Sequence, residues 1–323
     1  MKKTDQHPII IAMDIDDFLT SMQVAELRKR DWRDPVHHGD NHFFTVEFEH
    51  NGVPYEVENV LTPGCIEFFH FLFEQERVRP AFFSAGIRSR NLDLAEKVVQ
   101  MAIDAGGDPQ WKERYDVYSR EDCFDTERMD RYVDDRRIRD QFQPEHYFGN
   151  FKKDLRMIHY GREAYHKMFQ QTLDDPATLL PNPEKDEGML ANLILVEEDA
   201  SYLFPGQEKN MLLCPTYRHP YPYAVNYGGD DVPQPSENPW EDAFKAANTI
   251  FYAAGVLHRV FELLSENMTL PDALWQEQGR LWVDPKRSQE RHPLHFFAKG
   301  RDILLRYNPR LNFAVRSQKA PGP

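Results

Sequence analysis

The sequence contains few cysteines. Three are present among 323 residues, and they are widely spaced: Cys65, Cys123 and Cys214. An odd number at such spacing, with no Cys-x-x-Cys pair, indicates neither a disulfide framework nor a zinc site. This cysteine usage is typical of reduced thiols in a cytosolic protein.

Long apolar runs are also missing. The first eight residues are polar, and the apolar run that follows them is stopped by Asp14, which makes it too short for the core of a signal peptide. The long helical pattern at 240–264 contains polar residues, and no stretch approaches the ~18 apolar residues that cross a bilayer. We therefore expect a soluble, cytoplasmic protein.

Positive charge is scarce outside the C-terminal segment. The chain has a formal net charge of −14, but residues 281–323 contain nine Lys/Arg and three Asp/Glu, a net charge of +6. The other 280 residues therefore carry −20. A body this acidic repels nucleic acid, so we exclude that class of partner, whereas the basic tail favours anionic surfaces.

Two aspartates follow the first apolar run. Residues 8–13 predict a buried strand, and Asp14 and Asp16 lie on the loop at its carboxyl end. In open α/β sheets ligands bind at this end of the strands, so an Asp-x-Asp there suits a phosphoryl-transfer site with Mg²⁺. In that interpretation Asp14 attacks phosphorus and Asp16 transfers the proton.

Three further groups have similar positions in the pattern. They are Ser84 after a predicted strand at 79–83, Lys152 and Lys153 at a short helix, and Glu197, Glu198 and Asp199 after a predicted strand at 193–196. Taken singly, these groups are more typical of a strand end, a solvated helix lysine and an acidic surface turn than of a catalytic site. Taken in order, they supply a hydroxyl that can donate a hydrogen bond to phosphate, a cation, and carboxylates that can bind a metal ion.

The remaining pattern predicts helices and a hairpin. Asn51-Gly52 between two alternating runs is a strong hairpin signal. We also expect a third strand at 115–119, a connector at 215–235 and an inserted loop at 174–188. The predicted helices cover 20–32, 65–76 after Pro63-Gly64, 91–105, and 239–264 with Asn238 as the N-cap.

The ordered set resembles the motifs of the haloacid dehalogenase (HAD) superfamily of aspartate-based phosphatases. A more specific resemblance is to the CTD-phosphatase branch (FCP/SCP, or NIF-type), whose members place a hairpin and then a Pro-Gly after the first motif. That branch also reads Gly-Asn-aromatic-x-Lys-Asp-Leu at the lysine motif, and residues 149–155 match it position by position. The match selects Lys153 over Lys152, and at the last motif it favours Glu198 as the direct metal ligand.

This resemblance implies a fold, a cofactor and a set of roles. The implied fold is an α/β, HAD-like (Rossmann-like) parallel sheet with a β-hairpin flap and no large cap, followed by a helical C-terminal region. The implied activity is that of a Mg²⁺-dependent phosphatase acting through an aspartyl-phosphate. The catalytic residues would be Asp14, Asp16, Ser84 and Lys153, and the metal ligands Asp14, Asp16, Glu197 and Glu198.

Three departures from the family pattern leave alternatives open. Phe18 stands where the family has Thr or Val, glutamates replace the shorter acidic pair, and the stretch from Lys153 to Glu197 is longer than usual. One alternative is a degenerate HAD scaffold that binds lipid or protein. Another is a phosphatase of small molecules or lipids.

The short span between the first motif and the second strand leaves little room for a lid. An open site favours a phosphoprotein substrate over a small metabolite. The family does not decide between phosphoserine and phosphotyrosine, and the aromatic hairpin residues Phe43, Phe44 and Phe48 favour phosphotyrosine slightly.

The C-terminal segment 293–307 predicts a short amphipathic helix. Phe296, Ile303 and Tyr307 share one face, and the flanking cations are typical of a helix that binds an anionic, phosphoinositide-containing membrane. The alternative is that the helix packs on the acidic body. The cations that would contact lipid are Lys299, Arg301, Arg306 and Arg310.

These predictions divide the chain into three parts. Residues 1–215 would form the phosphatase domain, 216–284 a connector and a long helix packing on the core, and 285–323 the basic tail. We expect a cytoplasmic protein that is peripheral on membranes. The combination of phosphatase body and basic tail also resembles effector phosphatases that intracellular bacteria inject into host cells, which would place the protein in the host.

Overall fold

We analysed a computed structural model of the chain. The structure describes residues 8–22, 42–125, 151–172, 188–217, 239–264, 268–278 and 292–311. Residues 174–187 of the predicted inserted loop and most of the connector at 215–235 lie outside the described residues, as does Asn238.

The centre of the fold is a five-stranded parallel sheet. Its strands have the order β10-β9-β1-β5-β6. In chain order they are β1 (Ile9–Met13), β5 (Val78–Phe83), β6 (Asp116–Tyr118), β9 (Leu193–Glu197) and β10 (Met211–Leu213). The middle strands are almost continuously apolar because helices cover both faces of such a sheet. The predicted Rossmann-like α/β fold with a parallel sheet is confirmed.

This strand order creates a switch point beside β1. The chain first builds outward through β5 and β6 and then returns to the other side of β1 with β9 and β10. At such a reversal the connections leave in opposite directions, and a crevice opens at the carboxyl ends of the two central strands. Asp14 follows β1 and Glu198 follows β9, so both lie at this crevice.

The predicted hairpin is present. Strands β3 (Phe43–His50) and β4 (Val53–Leu61) pair in antiparallel register around Asn51 and Gly52, which have positive φ values of 53° and 76°. These angles are what a tight two-residue turn between twisted strands requires. The predicted helix at 20–32 is wrong at its start, because Thr20 and Ser21 form strand β2 on β4; residues 23–32 lie outside the described residues.

Two helices cover one side of the sheet. Helix α1 (Cys65–Phe73) begins after Gly64, whose φ of 86° favours glycine, and helix α2 (Arg88–Asp104) begins three residues before the predicted start. Within the described residues, no folded lid lies between β1 and β5. Short strands and helices complete the segment around the lysine motif: β7 (Phe124–Asp125), β8 (Phe151–Lys152), α3 (Leu155–Tyr160) and α4 (Arg162–Thr172).

The C-terminal helices pack on the same core. They are α5 (Pro239–Ala247), α6 (Thr249–Leu264), α7 (Leu270–Gln278) and α8 (Leu294–Leu304). The helix predicted at 239–264 is divided at Asn248, whose side-chain amide donates to the carbonyl of Phe244. Among the described residues, no helix is both long and apolar enough to cross a bilayer.

Helix α8 crosses α6 at very close range. A Cβ built on Gly300 would lie 1.7 Å from the carbonyl oxygen of Phe251, and one on Gly255 would lie 2.1 Å from that of Phe296. Only glycine on both helices permits this approach.

The packing of α8 corrects one part of the membrane prediction. Phe296 and Ile303 are buried in the core, and Tyr307 donates a hydrogen bond to Glu74. The apolar face that was predicted to enter a lipid headgroup layer is therefore covered by protein. The cations predicted to contact lipid still lie at or near the surface.

Candidate active site

Asp14 lies at the centre of the site. It follows the last residue of β1, its backbone N–H donates to the carbonyl of Val196 at 2.9 Å, and it is only 5% exposed. The chain then turns sharply at Asp17, which has a φ of 59°. Asparagine and aspartate tolerate this left-handed conformation better than most residues, so the sequence allows the turn.

Phe18 lies beneath this turn. It is fully buried, its ring meets that of Phe68 edge to face, and its carbonyl accepts a hydrogen bond from Thr62. The departure from the family pattern at this position therefore changes packing in the core and removes no group from the crevice.

Lys153 joins two sides of the crevice. Its ammonium group donates to Asp14 Oδ1 and, at 2.5 Å, to Glu197 Oε2, and the residue is 1% exposed. Burial alone would lower the pKa of Lys153, but the charges of Asp14 and Glu197 reverse this effect and raise it. Lys153 is therefore a permanent cation beside Asp14. Lys152 points elsewhere and donates to the carbonyl of Ser201.

A buried network holds the lysine segment in place. Asp154, the residue after Lys153, is fully buried and pairs with Arg156, and it also accepts hydrogen bonds from Tyr165 and Gln207. Gln207 in turn accepts the backbone N–H of Leu155. Because every member has a partner, this network fixes the backbone that carries Lys153.

Three carboxylates converge opposite the lysine. Oxygens of Asp14, Glu197 and Glu198 lie within 4.8 Å of one another. Burial raises the pKa of Asp14, and Lys153 opposes this while Glu197 and Asp16 add to it; burial and Glu197 likewise raise the pKa of Glu198. One oxygen of Glu198 is buried and makes no hydrogen bond with the described residues.

This donor set is suited to Mg²⁺. The ion takes oxygen ligands and is usually held by one or two carboxylates with several waters. A divalent cation here would offset the repulsion among the three carboxylates and give the buried Glu198 oxygen a partner. The carboxylate of Asp16, which was also predicted as a ligand, lies outside this group of three.

Asp16 instead faces an arginine. Arg90 donates from Nη1 to Asp16 Oδ2 at 2.8 Å and from Nη2 to the other oxygen, while Ser84 Oγ donates to Oδ2 at 3.3 Å. Arg90 is 7% exposed, whereas the side chain of Asp16 keeps 34% of its surface open. Asp16 is thus held at the mouth of the crevice, between the protein and solvent.

Ser84 ends β5 next to Asp16. Its Oγ accepts the backbone N–H of Gly86 at 3.0 Å and the residue is 2% exposed. A Cβ on Gly86 would lie 2.7 Å from the Asn91 side chain and 3.2 Å from Ser84 Oγ, so glycine is needed for this turn. The structure therefore brings Asp14, Asp16, Ser84, Lys153, Glu197 and Glu198 to one crevice, as the motif order predicts.

Sequence analysis did not identify Arg90. The signal was present, because the first turn of α2 contains Arg88 and Arg90 and no acidic residue. Acidic side chains favour a helix N-terminus, so two arginines there indicate an anion outside the helix. In this structure Asp16 is one such anion.

Comparison with known proteins gives a limited result. No family model and no curated protein match the sequence. Two solved structures show similarity at 12% identity: Fcp1, described as an essential RNA polymerase II CTD phosphatase, with a TM-score of 0.35, and fission yeast Fcp1 bound to beryllium fluoride, with 0.36. The alignments cover 94% of this chain and 64% of the Fcp1 chains, so this chain spans less than two thirds of their length. TM-scores this low do not establish a shared fold or function. The fold assignment rests instead on the strand order of the sheet and on the geometry of the site.

Proposed function

We propose that the chain is a Mg²⁺-dependent phosphatase of phosphoproteins. One observation carries the proposal: Asp14 lies at the switch point of the sheet, with Lys153 on one side and the carboxylates of Glu197 and Glu198 on another. Hydrolysis through an aspartyl-phosphate requires a nucleophile, a fixed cation and a group of carboxylates that binds a metal ion.

Each residue has a role set by its position. An oxygen of Asp14 attacks phosphorus and forms an acyl phosphate, and the substrate oxygen leaves. Lys153 and the hydroxyl of Ser84 stabilise the charge on the transferring phosphoryl group. Asp16 gives a proton to the leaving oxygen and then takes one from the water that hydrolyses the acyl phosphate.

Asp14, Glu197 and Glu198 would hold Mg²⁺, with Glu198 the best candidate for a direct ligand because one of its oxygens has no partner. The ion would supply positive charge that lets an anionic phosphate approach a site of carboxylates.

The proposed substrate is a phosphorylated side chain of a protein. The hairpin β3–β4 lies along α2, where Ser89 donates to the carbonyl of Glu49 at 2.8 Å. It therefore flanks the helix that carries Arg90, and among the described residues the side chain of Asp16 keeps 34% of its surface exposed. Phosphotyrosine is favoured slightly because aromatic side chains are concentrated on the hairpin; Phe44 and Phe48 are partly buried against the core, and Phe48 also stacks on Tyr55.

The test is hydrolysis with and without Mg²⁺. Peptides of one sequence carrying phosphotyrosine, phosphoserine or phosphothreonine would be compared with an inositol phosphate and a sugar phosphate. We expect metal-dependent turnover of the peptides, with phosphotyrosine fastest. Preference for the small molecules would support the alternative of a small-molecule phosphatase, and absence of all turnover would support the degenerate scaffold.

We also propose that the C-terminal cations attach the protein to anionic membranes containing phosphoinositides. Lys299, Arg306 and Arg310 are exposed, and Arg301 pairs with Asp302. Each basic residue near an anionic surface contributes about 1 kcal/mol. Because α8 is part of the core, substitution of these cations by glutamine is a better test than deletion of the tail. Unchanged co-sedimentation of the quadruple variant with phosphoinositide liposomes would contradict the proposal.

A cytoplasmic location at the membrane surface follows from the same proposal, with residues 1–215 as the catalytic part of the chain. The resemblance to injected effector phosphatases stays a prediction from the sequence.

A further inference from the structure

Two arginines pair with one buried carboxylate beside the crevice, and a third lies on the same turn as that carboxylate. Arg88 Nη1 lies 3.6 Å from Asp122 Oδ2, and Arg162 Nε donates to Asp122 Oδ1 at 2.5 Å. Arg120 precedes Asp122 on the same turn and is exposed. We call Arg88, Arg120 and Arg162 the arginine rim.

The arginines of the rim keep part of their surface open to solvent, although two of them pair with Asp122. Asp122 is fully buried, and its Oδ2 also accepts the backbone N–H of Ser119. The side chains of Arg88 and Arg162 keep 40% and 42% of their surface exposed. Three arginines that lie close together and are partly exposed contrast with a body whose net charge is −20.

One guanidinium nitrogen in the rim lacks a hydrogen bond. Arg88 Nη1 is buried and makes none with the described residues, and its 3.6 Å contact to Asp122 is an ion pair only. Arg88 is also the first residue of the 17-residue helix α2, whose N-cap Ile87 supplies no side-chain cap. The helix terminus and the guanidinium therefore both favour an added anion at this place.

The rim adjoins the crevice on two sides. Arg120 donates from its backbone N–H to Gly86 at 2.9 Å and from Nε to Ala85 at 2.8 Å, and these carbonyls follow Ser84 directly. The guanidinium carbon of Arg120 lies 5.2 Å from the ring centre of Phe151, two residues before Lys153. Arg120 therefore lies between the turn that follows Ser84 and the segment that leads to Lys153.

We propose that the arginine rim binds acidic side chains next to the phosphorylated residue, so that the preferred substrates are acidic phosphopeptides. The inference rests on the proposed function and names the substrate class of that site. A guanidinium presents two parallel N–H groups, which match a carboxylate. A second phosphate offers the same anionic chemistry, and we favour the carboxylate because Arg88 and Arg162 already pair with one.

The test separates binding from turnover. Full-length Asp14→Asn protein with Mg²⁺ would be titrated against fluorescent phosphotyrosine peptides whose two flanking residues are Glu or Gln, with anisotropy as the readout. A third peptide would carry a phosphoserine in place of one Glu. Arg120→Gln and Arg162→Gln would be added singly, with Arg259→Gln as the matched control, since Arg259 is similarly exposed but pairs with Glu262 and Glu277 on the C-terminal helices.

We expect the Glu peptide to bind more tightly than the Gln peptide, and each rim substitution to weaken the Glu peptide alone by about two- to fivefold, as for exposed ion pairs. Arg162 contacts Asp122 rather than the carbonyls after Ser84, so Arg162→Gln removes charge from the rim without altering the Ser84 turn.

Equal Kd values for the Glu and Gln peptides overturn the inference, and so does a rim effect seen only with the second phosphate. If the wild-type protein hydrolyses an aryl phosphate while the peptides are not distinguished, the proposed function stands and the rim inference fails. Absence of both hydrolysis and peptide binding rejects the two together.

Discussion

Arg90 binds the carboxylate of Asp16 with both terminal nitrogens. The first contact, from Nη1 to Oδ2, measures 2.8 Å, and the second joins Nη2 to Oδ1. Two parallel hydrogen bonds fix the orientation of a carboxylate as well as its position. In the proposed mechanism Arg90 therefore orients the residue that moves the proton, without contacting the reacting atoms.

We predict that Arg90→Lys lowers kcat about tenfold with little change in KM, because one ammonium cannot orient both oxygens of Asp16. Arg90→Met should lose more, which would make the lysine variant a partial rescue. The measurement is steady-state hydrolysis of an aryl phosphate together with a thermal melt of each variant.

Arg79→Lys is the matched control, since Arg79 also donates two hydrogen bonds to one carboxylate, from Nε and Nη2 to Asp116, near the start of β5 and away from Ser84. Equal kinetic losses in the Arg79 and Arg90 variants would show that Arg90 acts only on stability.

A second prediction concerns Asp14→Asn. The amide cannot attack phosphorus, so phosphatase activity should be lost. The fold should persist, because an amide has nearly the same size as the carboxylate and the backbone hydrogen bond to Val196 is kept. Lys153 keeps Glu197 as a partner. Turnover by this variant at the wild-type rate would reject Asp14 as the nucleophile.

A third prediction concerns the carboxylate group and needs no substrate. Mg²⁺ at about 100 times its Kd should stabilise the wild-type protein by about 2.7 kcal/mol, which corresponds to a rise in Tm of several degrees. The rise should shrink in Glu198→Gln and stay unchanged in Glu76→Gln, an exposed acid outside the site. An equal Mg²⁺ shift in Glu198→Gln and the wild type would contradict the proposed ligand set.

The fourth prediction separates the two aspartates of the first motif. Asp16→Asn should slow hydrolysis of serine phosphate more than hydrolysis of an aryl phosphate, because an aryl oxide leaves with less help from a proton. The measurement is the ratio of kcat values for the two substrates in the variant and the wild type. Equal losses on both substrates would remove Asp16 from the acid role.

The sequence predicted the parts of the fold that depend on local pattern. Apolar runs gave the central strands, and Asn51-Gly52 gave the hairpin, because both signals act over a few residues. Asp14, Asp16, Ser84, Glu197 and Glu198 could be assigned to one crevice because the carboxyl ends of parallel strands meet at one edge of a sheet. Lys153 follows no strand of that sheet and was assigned by the motif resemblance alone.

The missed features depend on contacts between distant residues. Arg90 and Asp16 are 74 positions apart, so their pairing appears only after folding.

The apolar face of α8 looks the same in the sequence whether lipid or protein covers it. The decisive signal was Gly300, a poor helix residue in the middle of an amphipathic pattern, which allows the close approach to α6.

The last prediction tests this helix contact. Gly300→Ala would place a methyl carbon 1.7 Å from the carbonyl of Phe251, a separation that forces the backbones of α6 and α8 apart. Because Phe296 and Ile303 are buried by this contact, we expect a loss of more than about 4 kcal/mol in the free energy of unfolding. Gly188→Ala is the control, since nothing lies within 4 Å of a Cβ built there. Denaturant unfolding of both variants gives the comparison, and near-wild-type stability of Gly300→Ala would mean that α8 does not pack on α6 in this register.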